Sequence, residues 1–311
     1  MPDHFFSSDA PAAPSARPLG GCARGCCGAA PRRRLFTAAL IGSALAAAAG
    51  PAWAREGVEV GSQSSLSKLV SAEQIEQAAA QQYRQMLQKA AQQRALAPDG
   101  NAQLQRLRAI AERLIPYSFE WNERARQWRW EVNLIGSKQI NAFCMPGGKI
   151  AFYYGILAQL KLTDDEVAMV MGHEITHALR EHARERMGKT MATRGAIEIG
   201  AAIFGLGGGG RYLADMGGQL LTLKFGRDDE SEADLVGMEL AARAGYDPRA
   251  GVTLWQKMAA AGKGTPPQWL STHPSGPSRI NDIEVNLPKV TPLFARATKP
   301  LRRFEPARAA G

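Results

Sequence analysis

The pentapeptide His-Glu-Ile-Thr-His at residues 173–177 constrains the fold of this 311-residue chain more than any other feature of its sequence. His173 and His177 are four positions apart, so on a helix both imidazoles lie on one face and can bind a single zinc ion. Glu174 then faces the open coordination position, where it can act as a general base that takes a proton from water and passes it to a leaving amine. Such a catalytic site requires a third protein ligand from elsewhere in the chain.

The third ligand is predicted to come from an acidic cluster on a second predicted helix. Glu230 is the candidate for this ligand, and Glu232 is its competitor. Asp234 lies four residues beyond Glu230 on the same helix face, so it can accept a hydrogen bond from a ligand imidazole and fix the tautomer of that ring. Glu232 would point to another face. The sequence therefore predicts one zinc ion per chain, held by His173, His177 and Glu230, with Asp234 behind the ligands.

The periodicity of apolar residues predicts a mostly helical α+β domain with a small β-sheet beside the helix that carries the two histidines. Thr163 and Glu166 form a capping box that begins this helix, which is expected to continue through His182 to about Met187. The other predicted elements are two helices within residues 65–116, strands at 128–134, 138–144 and 150–154, and helices at 229–244 and 249–261.

The first 54 residues are predicted to be a signal peptide. Three arginines precede an apolar stretch at 35–49, and Ala52-Trp53-Ala54 supplies a small-x-small site, so cleavage is expected after Ala54. The pair Arg33-Arg34 resembles a twin-arginine signal, with an ordinary secretory signal as the alternative. The apolar stretch is too short to span a membrane comfortably. We therefore expect the chain to be exported.

The rest of the chain is expected to form one domain at residues 55–286, followed by a poorly ordered, basic tail at 287–311. Its charge does not predict a nucleic-acid partner, because five arginines and two aspartates of the first 54 residues carry three of the nine net positive charges. Cys144 is the only cysteine after residue 54, so no intramolecular disulfide is expected. We interpret Cys144 as a small buried residue on a strand, with a reactive thiol as the alternative.

Several ordered motifs make residues 65–285 resemble metallopeptidase family 48, the gluzincins that include HtpX, the CaaX prenyl proteases, Oma-type proteases and the periplasmic BepA-like enzymes. The motifs are Asn141-Ala142-Phe143 with Pro146-Gly147-Gly148, His-Glu-x-x-His followed by Ala178, Arg227 before Glu230-x-Glu232-Ala233-Asp234, and His273-Pro274-Ser275 with Arg279-Ile280. The resemblance implies a gluzincin-type zinc metalloprotease domain with His173, His177 and Glu230 as ligands and Glu174 as the base. It also implies a periplasmic endopeptidase that hydrolyses peptide bonds of unfolded or misassembled envelope proteins in protein quality control.

The resemblance further implies that His273 approaches the zinc ion. His273 would then either stabilise the oxyanion of the tetrahedral intermediate or occupy the fourth coordination position and hold the enzyme latent. A surface loop histidine without such a role is the third interpretation. The sequence departs from HtpX in lacking flanking transmembrane helices, and too few residues follow Arg279 for a helical-repeat domain of the BepA kind. We therefore do not expect partner recognition through such a domain.

Other features leave alternatives open. A zinc-bound chaperone or assembly factor is the rival function, although a structural zinc site prefers four protein ligands and does not need Glu174. Arg279 is interpreted as a partner of the helix that carries the third ligand, as a substrate contact or as a structural salt bridge. His182 is interpreted as a structural or exposed helix residue. Residues 140–144 form either an open edge for an extended peptide or an internal strand. The apolar segment 195–206 forms a core helix, a mobile lid or a contact with the outer or inner membrane surface.

Overall fold

The computed structural model describes residues 55–203, 220, 223–262, 267–274 and 277–308. The predicted signal peptide lies outside the described residues, and so does the apolar segment beyond residue 203. Among the residues that are described, no helix combines the length and the apolar character that a membrane span requires.

The described elements confirm the predicted mostly helical α+β fold. In chain order they are α1 (Ala72–Gln92), α2 (Ala102–Ser118), β1 (Glu131–Ile135), β2 (Ala142–Met145), β3 (Lys149–Tyr153), α3 (Tyr154–Gln159), α4 (Asp164–Leu179), α5 (His182–Ile203), α6 (Arg227–Arg243), α7 (Ala250–Ala261), α8 (Gln268–Thr272) and α9 (Pro277–Arg296). Two short 3-10 helices, Ser65–Leu69 and Glu123–Gln127, complete the described secondary structure.

The three strands form one small sheet in the order β1-β3-β2. β1 pairs with β3 in the parallel direction, and β2 pairs with β3 in the antiparallel direction, with Phe143 opposite Ala151. Every residue of β2 is buried, and the strand lies against α4. Within the described part of the chain, β2 pairs with no strand other than β3. Among the described residues, β2 is therefore an edge strand beside the helix of the candidate site, while the Ile140 carbonyl just before it accepts a hydrogen bond from the Trp269 amide.

Helix α4 is the central helix of the domain. Its capping box forms as predicted, because the Thr163 hydroxyl accepts a hydrogen bond from the Glu166 backbone N–H, and the Glu166 carboxylate accepts one from the Thr163 backbone N–H. All its residues except Asp165 are buried. A helix that is buried on every face positions its side chains by packing on all sides, which suits a rigid site.

The prediction that this helix continues to about Met187 is wrong, because α4 ends at Leu179 and α5 begins at His182. Glu181 between them has a φ of +58°, in the left-handed region that ends a helix. The Leu179 carbonyl at this break accepts hydrogen bonds from the Gln63 and Asn122 side chains. The chain therefore changes direction two residues after His177.

Helices α4 and α6 cross with their backbones in close contact at two glycines. A Cβ atom on Gly172 would lie 2.6 Å from the Gly237 carbonyl oxygen, and one on Gly237 would lie 2.6 Å from the His173 amide nitrogen. Any larger residue at either position would push the helices apart. This crossing brings the acidic residues of α6 beside the histidines of α4.

The C-terminal part of the chain differs from the poorly ordered tail expected after residue 286. Helix α9 continues to residue 296 despite two internal prolines, and it buries Val290 and Leu293. Residues 297–308, which have no regular secondary structure, then pack on the domain, where the Phe304 amide donates a hydrogen bond to the Asp164 carboxylate at 2.8 Å. The burial of these apolar residues against the domain outweighs the low helix propensity of the two prolines.

Candidate metal centre

The structure brings the side chains of His173, His177 and Glu230 together between α4 and α6. The two Nε2 atoms of the histidines are 3.0 Å apart. One Glu230 oxygen lies 3.6 Å from Nε2 of His173, and the other lies 3.6 Å from Nε2 of His177. All three side chains are almost completely buried. Two separate helices thus bring the two predicted imidazoles and the predicted carboxylate together.

This donor set fits a zinc ion. Ligand atoms at the usual zinc distance of about 2.0–2.1 Å in a tetrahedron lie about 3.4 Å from each other. The observed separations of 3.0 and 3.6 Å bracket that value. Two neutral imidazole nitrogens and one carboxylate are also the protein ligands of several catalytic zinc sites.

His273, at the end of α8, is a fourth member of this group. Its Nδ1 lies 3.3 Å from Nε2 of His173 and 3.0 Å from a Glu230 oxygen. The donor atoms of His173, His177, Glu230 and His273 all lie within 4.8 Å of one another. Although burial lowers the pKa of His273, the carboxylates of Glu174 and Glu230 outweigh burial and raise it. The interpretation as a surface loop histidine is wrong, because His273 is 3% exposed.

Glu174 lies at the edge of the same cluster. One of its carboxylate oxygens accepts a hydrogen bond of 2.6 Å from the indole N–H of Trp269, and the same oxygen is 3.6 Å from Nε2 of His273. Trp269 is fully buried, and its ring stacks on the His273 ring with centroids 4.9 Å apart. The indole therefore fixes the orientation of the carboxylate that the sequence predicts as the general base.

The support behind His173 is a buried network of charges. Its Nδ1 lies 2.9 Å from Asp234, which places the N–H donor on that ring nitrogen. Arg279 donates to both oxygens of Asp234, at 2.6 and 2.7 Å, and to Glu230 at 2.5 Å. Burial raises the pKa of Asp234, but Arg279 and His173 outweigh burial and lower it to about 2. Asp234 thus lies where the helical spacing predicts, and Arg279 pairs with the acidic residues of α6.

The support behind His177 is different. Its Nδ1 lies 2.8 Å from Nδ1 of His182, and Nε2 of His182 lies 2.8 Å from Glu232. The second Glu232 oxygen lies 2.7 Å from the Arg180 guanidinium. Burial, together with the neighbouring His173, lowers the pKa of His177 well below its ordinary value. Glu232 is therefore not in the donor group, and His182 is a buried partner of His177 rather than an exposed helix residue.

A cleft opens beside these residues between β2 and the chain that leads into α6. Its walls include the β2 residues, Glu174, His177, Phe225 and His273. The Phe225 ring stacks on the His177 ring with centroids 3.9 Å apart. Cys144 also lines the cleft, but burial and the Glu174 charge raise the pKa of its thiol well above the ordinary value. Cys144 thus matches its interpretation as a small buried residue on a strand.

Three residues that complete the site were not predicted from the sequence. Trp269 and Phe225 come from segments near chain turns, where no helical or strand periodicity tells which way a side chain points. Arg180 lies at the helix break that the periodicity did not reveal. Only the motif around His273 could have pointed to the segment that holds Trp269.

The fold and the cluster together define a metallopeptidase domain, in which a His-Glu-x-x-His helix crosses a second helix that supplies an acidic donor. The chain belongs to peptidase family M48, whose model matches residues 101–286. This confirms the family that the sequence motifs resemble.

Curated relatives agree with this family. The mitochondrial metalloendopeptidase OMA1 of Schizosaccharomyces pombe is 38% identical over 164 residues, which are 52% of this chain and 48% of the relative. The beta-barrel assembly-enhancing protease of Yersinia pestis is 32% identical over 168 residues, 48% of this chain and 32% of the relative. The protein of that name from Escherichia coli is 27% identical over 176 residues, 53% of this chain and 36% of the relative. The chain thus spans half or less of the length of these relatives.

Proposed function

We propose that the protein is a zinc-dependent endopeptidase that cleaves unfolded or misassembled envelope proteins. The observation that carries the proposal is the meeting of His173, His177 and Glu230 at separations of 3.0–3.6 Å, with the Glu174 carboxylate beside them. Membership of family M48 and relatives that are named metalloendopeptidase or protease support the same reaction.

Each site residue has a separate task in this proposal. His173, His177 and Glu230 would hold one zinc ion, which when bound would supply the Lewis acidity to polarise a peptide carbonyl and acidify water. Glu174 takes the proton from the attacking water and delivers it to the leaving amine. Asp234 holds the ring of His173 in place, and Trp269 holds the Glu174 carboxylate in place.

The edge strand β2 is the proposed binding surface for the substrate backbone. An extended peptide can add to an open strand edge through main-chain hydrogen bonds, which do not depend on side-chain identity. β2 lines the cleft next to Glu174 and His177. This mode of binding requires an unfolded segment and tolerates many sequences, which fits a role in protein quality control.

His273 allows a second candidate function. Its position within hydrogen-bond distance of Glu230 and His173 suits a fourth zinc ligand, and four protein ligands are typical of a closed site. In that state the protein would be latent, or it would bind clients as a chaperone or assembly factor. If His273 instead leaves the fourth position to the substrate, its ring can stabilise the oxyanion of the tetrahedral intermediate.

Turnover of denatured casein separates these functions. The wild type is expected to bind about one zinc ion per chain and to lose proteolysis on chelation. Glu174→Gln should lower kcat by at least about 100-fold, the usual contribution of a general base. The exposed carboxylate of Glu284 provides a matched control, since Glu284→Gln removes a charge on α9 and should leave kcat unchanged.

The possible results lead to different conclusions. Cleavage that appears only in His273→Ala would identify the latent enzyme. A zinc-loaded wild type and His273→Ala that both leave casein intact would favour the chaperone and contradict the proposed endopeptidase. Loss of activity in both Glu174→Gln and His273→Ala, with activity in the wild type, would support the oxyanion role of His273.

The location is part of the proposal. We propose export, cleavage after Ala54 and a periplasmic site of action, in contact with an inner or outer membrane surface. The support is the arginine-led apolar segment and the small-x-small site before Arg55. N-terminal sequencing of the protein recovered from a periplasmic extract should begin at Arg55. A first residue at or near Met1 would contradict the cleavage.

A further inference from the structure

The ring of His177 is held by a chain of hydrogen bonds that leads away from the cluster. His177 contacts His182 at 2.8 Å, His182 contacts Glu232 at 2.8 Å, and Glu232 contacts Arg180 at 2.7 Å. His182 is 1% exposed, while the side chains of Glu232 and Arg180 are 18% and 9% exposed. This series of hydrogen bonds thus connects a fully buried imidazole to charged groups near the surface.

The Glu232 carboxylate at the outer end of this series of hydrogen bonds determines which nitrogen atoms carry the protons. An ionised carboxylate is only an acceptor, so Glu232 requires the N–H of His182 to be on Nε2. A neutral His182 then presents the lone pair of Nδ1, and this lone pair faces Nδ1 of His177. His177 must therefore donate its own Nδ1–H, which leaves the lone pair of its Nε2 directed at His173 and Glu230. The opposite assignment would place a proton on Nε2 of His177 and exclude it as a ligand.

The break between α4 and α5 is what makes this contact possible. In a continuous α-helix, the direction of a side chain five positions further on differs by about 140°. His182 would then face away from His177. Because Glu181 has a φ of +58°, the chain turns and brings His182 back to His177. The Arg180 guanidinium also donates to the Gly61 carbonyl, which ties the break to the N-terminal segment.

We infer that His182 and Glu232 are positioning residues that hold His177 in the tautomer whose Nε2 is free to bind metal. Neither residue belongs to the group of donor atoms between α4 and α6. The inference rests on the proposed zinc site, and it assigns to the acidic cluster of α6 a second role, because Glu230 is a donor to the metal while Glu232 orients a ligand from behind. A partner of this kind typically changes metal affinity 10–100-fold.

Zinc affinity of the full chain, measured by competition with a chromophoric chelator, tests this role. His182→Leu removes the acceptor for the His177 N–H, and we expect its Kd for zinc to rise about 10–100-fold. His182→Gln keeps an oxygen that can accept from His177 and an amide that can donate to Glu232, so its Kd should rise by no more than about threefold. Lys189→Leu is the control on the same helix, because the Lys189 side chain is 44% exposed and pairs with Glu185 rather than with His177. Its Kd should stay within about twofold of the wild type.

Proton NMR of the zinc-loaded protein gives a readout that a purely structural role would not change. The wild type should show slowly exchanging imidazole Nδ1 protons from His173, on Asp234, and from His177, on His182. His182→Leu should lose the second signal and keep the first. If His182→Leu fails to fold, Glu232→Ala decides, with a rise in Kd of about tenfold expected.

The inference is overturned if a folded His182→Leu, or Glu232→Ala in its place, binds zinc within twofold of the wild type. A rise in Kd that His182→Gln does not reverse also overturns it, because the effect would then follow from packing. A wild type that binds no zinc would remove both this inference and the proposed function. If the zinc-loaded wild type and His273→Ala both leave casein intact, the endopeptidase alone is contradicted, and the affinities would still decide the role of His182.

Discussion

The two histidines of the metal centre have outer supports that perform one task with different chemistry. Behind His173, Asp234 accepts directly and is paired with Arg279, and all three side chains are at most 5% exposed. Behind His177, a second imidazole accepts, and the charges that fix it lie one step further out, with 18% of Glu232 exposed. Both arrangements leave Nε2 free toward the cluster. The difference shows that the same ring orientation can depend on a buried ion pair or on a series of hydrogen bonds that ends near solvent. The two supports should therefore respond differently to mutation.

Removal of Arg279 should have the largest effect. Arg279→Leu would leave Asp234 and Glu230 without their shared cation, and unpaired buried charges typically destabilise a protein by about 3–5 kcal/mol. Urea unfolding of the metal-free protein, followed by circular dichroism, measures this change. Arg279→Lys retains the charge without the two-pronged geometry and should lose less. If the free energy of unfolding of Arg279→Leu is within 1 kcal/mol of the wild type, the ion pair of Arg279 with Asp234 does not stabilise the support behind His173.

Asp234→Asn should affect metal binding more than folding. The amide oxygen can still accept from His173, but it no longer has the negative charge that strengthens that bond and balances Arg279. We expect the Kd for zinc to rise about 10–100-fold. Competition titration gives the Kd, and the His177 Nδ1 proton signal serves as an internal control that should remain. An unchanged Kd would mean that the two supports are not equivalent in function.

The contrast between the supports also explains what the sequence could predict. Asp234 was predictable because helical spacing alone places it one turn from Glu230, and both remain within one helix. His182 was not, because its contact with His177 depends on the left-handed turn at Glu181, and no glycine or proline marks that turn. Helical periodicity predicts which side chains share a face within one helix, but it does not predict the direction of the next helix.

The same limit applies to the fold. The ligand-bearing helices and three strands follow from apolar spacing and a capping box. The close approach of α4 and α6 does not follow from such local patterns, because it depends on Gly172 of one helix facing Gly237 of the other. Trp269 likewise reaches Glu174 only through tertiary packing. Local patterns therefore predict which residues can bind metal, whereas the groups that hold them depend on contacts between elements.

Gly237→Ala should weaken the support behind His173 and leave the support behind His177 intact. The added Cβ would meet the His173 backbone nitrogen at 2.6 Å, and forced shifts of this kind cost about 1–3 kcal/mol. The shift moves α6 relative to α4, so the bond from His173 to Asp234 should weaken. Gly100→Ala is the control, because no atom lies within 4 Å of its added Cβ.

Urea unfolding and the NMR signals of the two Nδ1 protons measure the result for Gly237→Ala. We expect the His173 signal to exchange faster with water than in the wild type. If only the His177 signal exchanges faster, the prediction that the crossing of α4 and α6 positions Asp234 behind His173 is contradicted.

Glu232→Gln should have the smallest effect, because it alters the support that lies near solvent. The amide oxygen can still accept from Nε2 of His182, so the tautomer of His177 is retained, while the ion pair with Arg180 is lost. A partly solvated ion pair contributes about 1 kcal/mol or less, so the free energy of unfolding should fall by no more than that. The Kd for zinc should rise less than tenfold, below the change for Asp234→Asn. If the two amide variants weaken zinc binding equally, burial does not distinguish the supports, and the charge on the outer carboxylate determines the strength of both.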